Sequence, residues 1–445
     1  MRRIVVAFWA ALAVMGALWL AVDPPALPPE TFIALRGAMV QLTGILAMTC
    51  MSLAMILALR PRWPEGWLGG LDKMYRLHKW FGIGALVLAV LHWAWTQSPG
   101  WAVSLGWLEP GRRPQRAPGG SAVQQWLGSL RGTAEQLGKW AFYAAVLLIA
   151  VALIGRIPYR LFQKTHRLIA LAYLVLVFHA IVLLNFASWP SALGATLAVL
   201  MAAGGFAAIV ALSRRIGADR KVQGSIARLQ YHPDLRVMEG EIDLPWGWPG
   251  HEAGQFAFVT ADQTEGAHPY TIASAWDGAQ PRITVIAKEL GDWTRRLRET
   301  LRVGQAVQVE GPYGCFTFDD GCPRQIWIGG GIGITPFIAR MKHLAMTPAK
   351  GPQQIDLFHT TTDYEEDAIR RLKADAQAAG VTLHVLVDAR DGRLTGDRLR
   401  AMVPGWREAS VWFCGPAGFG HALRDDLRGH GLPAGRFHQE FFALR

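Results

Sequence analysis

Six long apolar runs dominate the first half of the chain, at 4–22, 38–59, 80–95, 140–157, 168–189 and 192–212. Most approach the roughly 20 residues that an α-helix needs to cross a bilayer, so they predict six transmembrane helices. After Arg215 the pattern changes. Short alternating segments at 222–229, 235–244, 255–260, 282–288 and 305–310, separated by turn residues, predict an antiparallel β-barrel. From Gln325 the rhythm shifts again: strands at 325–329, 355–360, 381–388 and 411–414 alternate with helical stretches, the pattern of a doubly wound α/β domain. The expected architecture is therefore multi-domain, with a six-helix transmembrane bundle over 1–215, a β-barrel domain over 219–320 and a doubly wound α/β domain over 324–445.

Composition narrows the class. A hydrophobic fraction of 51% is too high for an ordinary soluble enzyme, yet 18% charged residues with 48 Gly and 25 Pro exclude a pure membrane bundle and a disordered chain. The formal charge of +11 is largely topological. Arg2 and Arg3, then Arg60, Arg62, Lys73, Arg76 and Lys79, then Arg156, Arg160, Lys164 and Arg167, then Arg214, Arg215, Arg220 and Lys221 all fall on one side of the predicted spans. Basic loops mark the cytoplasmic face, which places the N-terminus and the soluble domains in the cytoplasm and the chain, as a multi-pass protein, in the inner (plasma) membrane. Arg112, Arg113 and Arg116 break the pattern, but long loops cross with little regard to charge. Membrane lipid is thus an expected partner and nucleic acid is not. The first run is read as an uncleaved anchor rather than a signal peptide, since its apolar core is long and no Ala-x-Ala site follows it before Asp23 and the prolines. Cys50, Cys315, Cys322 and Cys414 contain no Cys-x-x-Cys pair, which argues against iron–sulfur ligation.

Within the apolar half lie four histidines, His78 and His92 on the third run and His166 and His179 near the fifth. A single membrane histidine often only hydrogen-bonds a neighbouring helix, but four in two spaced pairs ask for a function. The separations are 14 and 13 residues, about 20 Å of helical rise. With both helices running outward, His78 faces His166 at an inner level and His92 faces His179 at an outer level. Two stacked haems, each iron taking two imidazoles, need that arrangement. Fourteen residues return a side chain to within about 40° of its starting direction, whereas thirteen leave it about 140° away, so the fifth span is expected to carry a π-bulge or a strong bend between His166 and His179, or the irons are approached from different directions. Tyr173, midway, either lines the gap between macrocycles or is a packed aromatic. Arg36, at the outer mouth of the second span, either pairs with a haem propionate or anionic acceptor or anchors at the interface.

In the second half, Gly329-Gly330-Gly331-Ile332-Gly333-Ile334-Thr335-Pro336 follows a predicted strand. Small residues there permit close backbone approach, and Thr335 with Pro336 can start a helix, so a pyrophosphate fits. The spacing is not Gly-x-Gly-x-x-Gly, and a glycine-rich turn can also be a plain tight connection. Upstream, His268-Pro269-Tyr270-Thr271-Ile272-Ala273-Ser274 supplies a donor, an aromatic plane and hydroxyls at strand spacing, followed by Lys288, Gly291-Asp292-Trp293-Thr294 and Gly311-Pro312-Tyr313-Gly314.

These segments, with Cys414-Gly415-Pro416 and the tail Phe437-His438-Gln439-Glu440-Phe441-Phe442, resemble the flavin and nicotinamide modules of ferredoxin-reductase-type flavoproteins. Joined to the paired-histidine spans, they resemble the bacterial branch of the NADPH oxidase and ferric reductase superfamily. The resemblance implies that His268, Pro269, Tyr270, Thr271 and Ser274 hold FAD, with Lys288, Trp293 and Thr294 among the cofactor-binding residues. It implies that Gly329, Gly330, Gly331, Gly333, Thr335 and Pro336 bind the NAD(P)H pyrophosphate. Cys414, Gly415 and Pro416 would approach the nicotinamide, and Phe442, or else Phe441, would cover the flavin. The two irons would be those of b-type haems.

Electron counting orders the parts: NAD(P)H gives a hydride and a haem accepts one electron, so a flavin has to stand between them. The expected route runs from cytoplasmic NAD(P)H through FAD to the His78/His166 level, then the His92/His179 level, and out to dioxygen, ferric iron or another metal. Animal oxidases of the superfamily carry a further histidine where this chain has Thr96, which puts superoxide as the physiological product in doubt. Thr360-Thr361-Thr362-Asp363 lacks an arginine for a 2′-phosphate, which tilts the donor toward NADH or dual use. A competing reading is a membrane relay subunit that feeds a periplasmic redox protein through the 98–135 loop. A proton transporter is a third, and it would show no haem absorption.

Overall fold

The computed structural model describes residues 2–26, 28–109, 121–155, 157–244, 246–347 and 354–440. Two compact units emerge: the first holds residues 1–64 and 73–216, the second residues 65–72 with 217–444.

The first unit is helical: α1 (Arg2–Val22), α2 (Phe32–Ala58), α3 (Arg62–Leu68, its end belonging to the second unit), α4 (Leu71–Ser104), α5 (Ala122–Leu153), α6 (Tyr159–His166), α7 (Leu168–Leu183) and α8 (Ala192–Leu212). Six stretches among the described residues are long and apolar enough to cross a membrane, with α6 and α7 counted as one. Their ends are set by local chemistry. Thr31 caps α2 by accepting from the Ala34 N–H, Ser121 and Gln124 form a reciprocal box at the start of α5, and Ser191 caps α8. Most of the α2 apolar stretch is buried, so it is the central helix.

The third and fourth spans are longer than their apolar runs suggest, because α4 continues to Ser104 and α5 begins at Ala122. Most of the expected 98–135 loop is therefore helix. Arg112, Arg113 and Arg116 lie outside the described residues. The irregularity expected in the fifth span falls at Arg167, directly after His166, where α6 ends and α7 begins. It is a tightened turn, with the Ala170 N–H donating to the Arg167 carbonyl, rather than a π-bulge.

The second unit contains two sheets. The first is built from β1 (Lys221–His232), β2 (Val237–Asp243), β3 (Phe256–Thr260), β4 (His268–Thr271), β5 (Arg282–Lys288) and β6 (Ala306–Tyr313), in the order β4-β3-β6-β1-β2-β5, all antiparallel. Helix α9 (Asp292–Thr300) covers one end. The expected barrel is not closed: β4 and β5 form no ladder, and the chain beyond β4 meets β5 through the Ile272–Val285 bridge, the Ala273 N–H to the Thr284 carbonyl and the Thr284 N–H to the Ser274 hydroxyl. The second sheet is parallel, with strands β7 (Arg324–Gly330), β8 (Gln354–Thr361), β9 (Thr382–Val387), β10 (Ser410–Cys414) and β11 (Phe437–Glu440) in the order β11-β10-β7-β8-β9. Its helices are α10 (Thr335–Met346), α11 (Glu366–Ala378), α12 (Asp388–Asp391), α13 (Gly396–Met402) and α14 (Ala417–Gly429). This is the doubly wound order, and its switch point lies between the C-terminal ends of β7 and β10.

Candidate functional site

In the helical unit the four histidines meet in the expected pairs. The rings of His78 and His166 have centroids 5.9 Å apart at 66°, and those of His92 and His179 stand 6.3 Å apart at 81°. Two metal–imidazole bonds of about 2 Å, plus about 1 Å from each nitrogen to its ring centre, put axial ligands of one iron about 6 Å apart. Both pairs fit that span. Three of the rings turn Nδ1 to a helix carbonyl: His78 to Ala54 (2.8 Å), His92 to Val40 (3.0 Å) and His179 to Ala134 (2.9 Å). A donor at Nδ1 leaves the Nε2 lone pair for a metal.

Tyr173 does not stand free between the levels. Its ring is fully buried, its hydroxyl hydrogen-bonds Ser52 at 2.8 Å, and Gly204 makes room for it, so it ties α7 to α2 and α8. Arg36 donates from Nε to the Trp95 carbonyl (3.3 Å) and from Nη2 to that of Thr96 (3.5 Å), three and four residues beyond His92.

In the second unit the parallel sheet brings together segments some eighty residues apart in sequence. Gly329 pairs with Cys414 in register. A methyl added at Gly333 would lie 2.2 Å from the Cys414 carbonyl oxygen, one at Gly330 2.9 Å from Pro416, and one at Gly415 3.1 Å from Gly330. These glycines are therefore needed for backbone packing across the switch point. Gly331 differs: its φ of +56° favours glycine, and a methyl there would meet open space. Thr335 begins α10 with Pro336 next, as expected, and its hydroxyl donates to the Ile332 carbonyl at 2.8 Å. A 3₁₀ turn over Gly331–Ile334 leads straight into α10, with the Thr335 N–H donating to the Ile332 carbonyl, and the positive end of the helix dipole there favours an anion.

A cleft of about 180 Å³ opens beside this turn, lined by Gly331 and Ile332, by Thr361 at the end of β8 and Asp363 just after it, and by Lys288 from β5. Lys288 donates to Asp363, so the antiparallel sheet reaches the nucleotide-binding fold through an ion pair. His359, under the turn, is held by the Gly329 carbonyl at 3.3 Å, and burial pushes its imidazole down to about 4. Arg371 and Lys342 also line this cleft. They went unnoticed in the sequence because a lysine on α10 and an arginine on α11 look like ordinary solvated helix positions, and only the packing of both helices beside the glycine turn brings them to one cleft.

The His-Pro-Tyr-Thr segment forms β4, with His268 and Tyr270 on one face. His268 stacks on Trp293 at 5.3 Å and 11°, and the Trp293 indole donates to the Tyr270 hydroxyl at 3.0 Å. Burial keeps this cluster uncharged: it drives His268 down to about 4 and Tyr270 up to about 12. Pro269 pairs with Phe258, and Thr271, opposite Phe256, is buried. The Ser274 and Thr294 hydroxyls serve the fold, Ser274 accepting from the Thr284 N–H (3.1 Å) and Thr294 from those of Leu290 and Gly291 (3.0 Å each).

Cys414 is fully buried, and burial, then the nearby Glu440 carboxylate, holds its thiol well above the usual range. Glu440 was not singled out in the sequence. It is buried at the end of β11, opposite Cys414 and beside Gly314, and only strand pairing places it there. Phe441 and Phe442 lie outside the described residues.

Comparison with known proteins agrees with both halves. Residues 43–177 match the family model "Ferric reductase like transmembrane component", and residues 226–317 match "FAD-binding domain". A flavohemoprotein of Xylella fastidiosa is 30% identical over 205 residues, covering 43% of this chain and 51% of that protein. A vanillate O-demethylase oxidoreductase from a Pseudomonas species is 30% identical over 152 residues, covering 34% and 46%. The alignment thus takes in about half the length of these curated relatives. An Amycolatopsis cytochrome P450 reductase structure covers 50% of this chain and 70% of that one, at 23% identity and a TM-score of 0.43. With a ferric reductase-like transmembrane component followed by an FAD-binding domain and a doubly wound nucleotide-binding fold, the chain has the architecture of the NADPH oxidase and ferric reductase superfamily.

Proposed function

We propose that this protein is a transmembrane oxidoreductase that moves electrons from NAD(P)H in the cytoplasm, through FAD and two bis-histidine b-type haems, to an acceptor across the inner membrane. The observation that carries the reading is the pair of imidazole–imidazole spacings, 5.9 and 6.3 Å, each suited to one six-coordinate iron. Bound FAD would take electrons in pairs and release them singly, and the haems would carry them one at a time. The chain's own residues hold and shield. The α10 N-terminus and Gly331 receive the dinucleotide pyrophosphate, neutral His359 fixes the turn beneath it, and buried Cys414 with Glu440 closes the floor of the switch point. Arg371 and Lys342 are the cations placed to meet a phosphate in the cleft, while Asp363 suits ribose hydroxyls, which favours NADH or dual use. His78 with His166 and His92 with His179 would hold the irons, and this chain would then offer dioxygen or a ferric complex no open coordination site.

An anaerobic visible spectrum, taken before and after NADH and then NADPH and followed by air, tests this. Two haems per flavin are expected, reduced by the nicotinamide and reoxidised by air or ferric chelate. His92→Ala should halve the haem absorption and leave flavin reduction intact. A purified protein without a Soret band after haem supply overturns the reading. Haems that stay reduced in both acceptors point to a partner redox protein instead.

A further inference from the structure

We infer that α2 and α5 carry matching seats, each a helix carbonyl with a glycine one turn later, that fix both imidazoles of the outer histidine pair and have no counterpart at the inner pair. The inference rests on the haem reading and goes beyond it. On α2, the Val40 carbonyl meets His92 Nδ1 at 3.0 Å, and four residues on a methyl at Gly44 would lie 3.2 Å from His92 Cε1 and 3.3 Å from Nδ1. On α5, the Ala134 carbonyl meets His179 Nδ1 at 2.9 Å, and four residues on a methyl at Gly138 would lie 2.0 Å from Nδ1. In an α-helix the carbonyl of residue i already accepts from the N–H of residue i+4. Each imidazole therefore shares a carbonyl whose helical donor is the glycine; a Cβ at Gly138 would collide with the His179 ring where it now stands, and one at Gly44 would push the His92 ring by tenths of an ångström.

The inner level is built otherwise. His78 reaches the Ala54 carbonyl at 2.8 Å, but the residue four further on is Ala58, which has a Cβ. His166 Nδ1 is buried without a hydrogen-bond partner among the described residues, and its ring stacks on Phe162 at 5.0 Å. A hydrogen bond at Nδ1 fixes ring orientation and raises the basicity of the metal-binding nitrogen. The outer iron would thus have two oriented, hydrogen-bonded ligands and the inner iron one. Gly44 and Gly138 are positioning residues.

Gly44→Ala and Gly138→Ala, made in the full-length holoprotein, test this against Gly37→Ala and Gly132→Ala on the same two helices, where an added methyl meets nothing within 4 Å. Alanine favours helix over glycine, so a loss cannot come from helix propensity. The readouts are the haem-to-flavin ratio and the low-spin haem signals in electron paramagnetic resonance. Gly138→Ala should halve the ratio by removing the outer haem. Gly44→Ala, where the ring has to give by only tenths of an ångström, should keep both haems and shift one signal of the two. The controls should match wild type. If Gly138→Ala does not fold, Gly44→Ala decides alone. Two haems with unchanged signals in both variants, or both signals moved equally by Gly44→Ala, overturns the seats. A wild-type protein without haem overturns the functional reading instead.

Discussion

The helical unit and the sheet-containing unit build their sites from different material. In the helices, every backbone N–H and C=O in the middle of a span is already bonded, so recognition falls to side chains, and the histidine pairs are the result. At the ends of parallel strands the backbone itself is available, and the glycine turn between β7 and α10 presents main-chain groups. The comparison teaches that glycine has two uses in one protein. Gly138 admits a histidine ring, whereas Gly333 admits the main chain of Cys414 and Gly415.

The largest test of this contrast is at the turn. Gly333→Ala drives a methyl into the Cys414 carbonyl, a clash that only backbone movement relieves, so a loss of about 3 kcal/mol or more is expected. Gly331→Ala meets open space and should cost about 1–2 kcal/mol for its left-handed backbone alone. Thermal or urea unfolding of the two variants compares them, and equal losses would break the distinction.

A second test concerns histidines that occur singly rather than in pairs. His268 and His359 are held neutral by burial, each down to about 4 from an ordinary value of about 6.5. Between those values the unfolded chain binds protons that the folded one refuses, so stability is flat above about pH 6.5 and falls as pH drops toward 4. Denaturant unfolding over that range should show the slope, and His359→Gln should flatten part of it. A slope unchanged by His359→Gln would remove the imidazole from the account.

The smallest effect is expected at β4. Trp293→Phe keeps the stack on His268 but removes the indole donor to Tyr270, at a cost of about 1 kcal/mol. A loss as large as that of Gly333→Ala would show the aromatic cluster to be as rigid as the switch point.

Much of this was legible in the chain, and the reasons are particular. Lipid demands long apolar segments, so six spans could be counted, and a histidine within one is costly enough to stand out. The pairing His78–His166 and His92–His179 followed from spacing, because helical rise converts residue number into depth. The strand-then-helix rhythm gave the α/β fold. Less legible was the extent of α4 and α5, whose outer turns carry polar residues and so carry no hydropathy signal. The open edge between β4 and β5 was hidden because alternation gives a strand's faces and not whether its sheet closes.

Residue type and spacing alone determined the six spans, most of the strands, the two histidine levels and the glycine turn, since each follows from local geometry or from the cost of a polar group in lipid, whereas α3, the break between α6 and α7, and β11 carried no such pattern. Tertiary structure alone decided what those residues touch. The fold gave Gly44 and Gly138 to the outer imidazoles, Gly204 to Tyr173, and Gly330, Gly333 and Glu440 to the loop around Cys414. Contacts between positions far apart in sequence depend on how helices cross and strands align, and no local pattern records those.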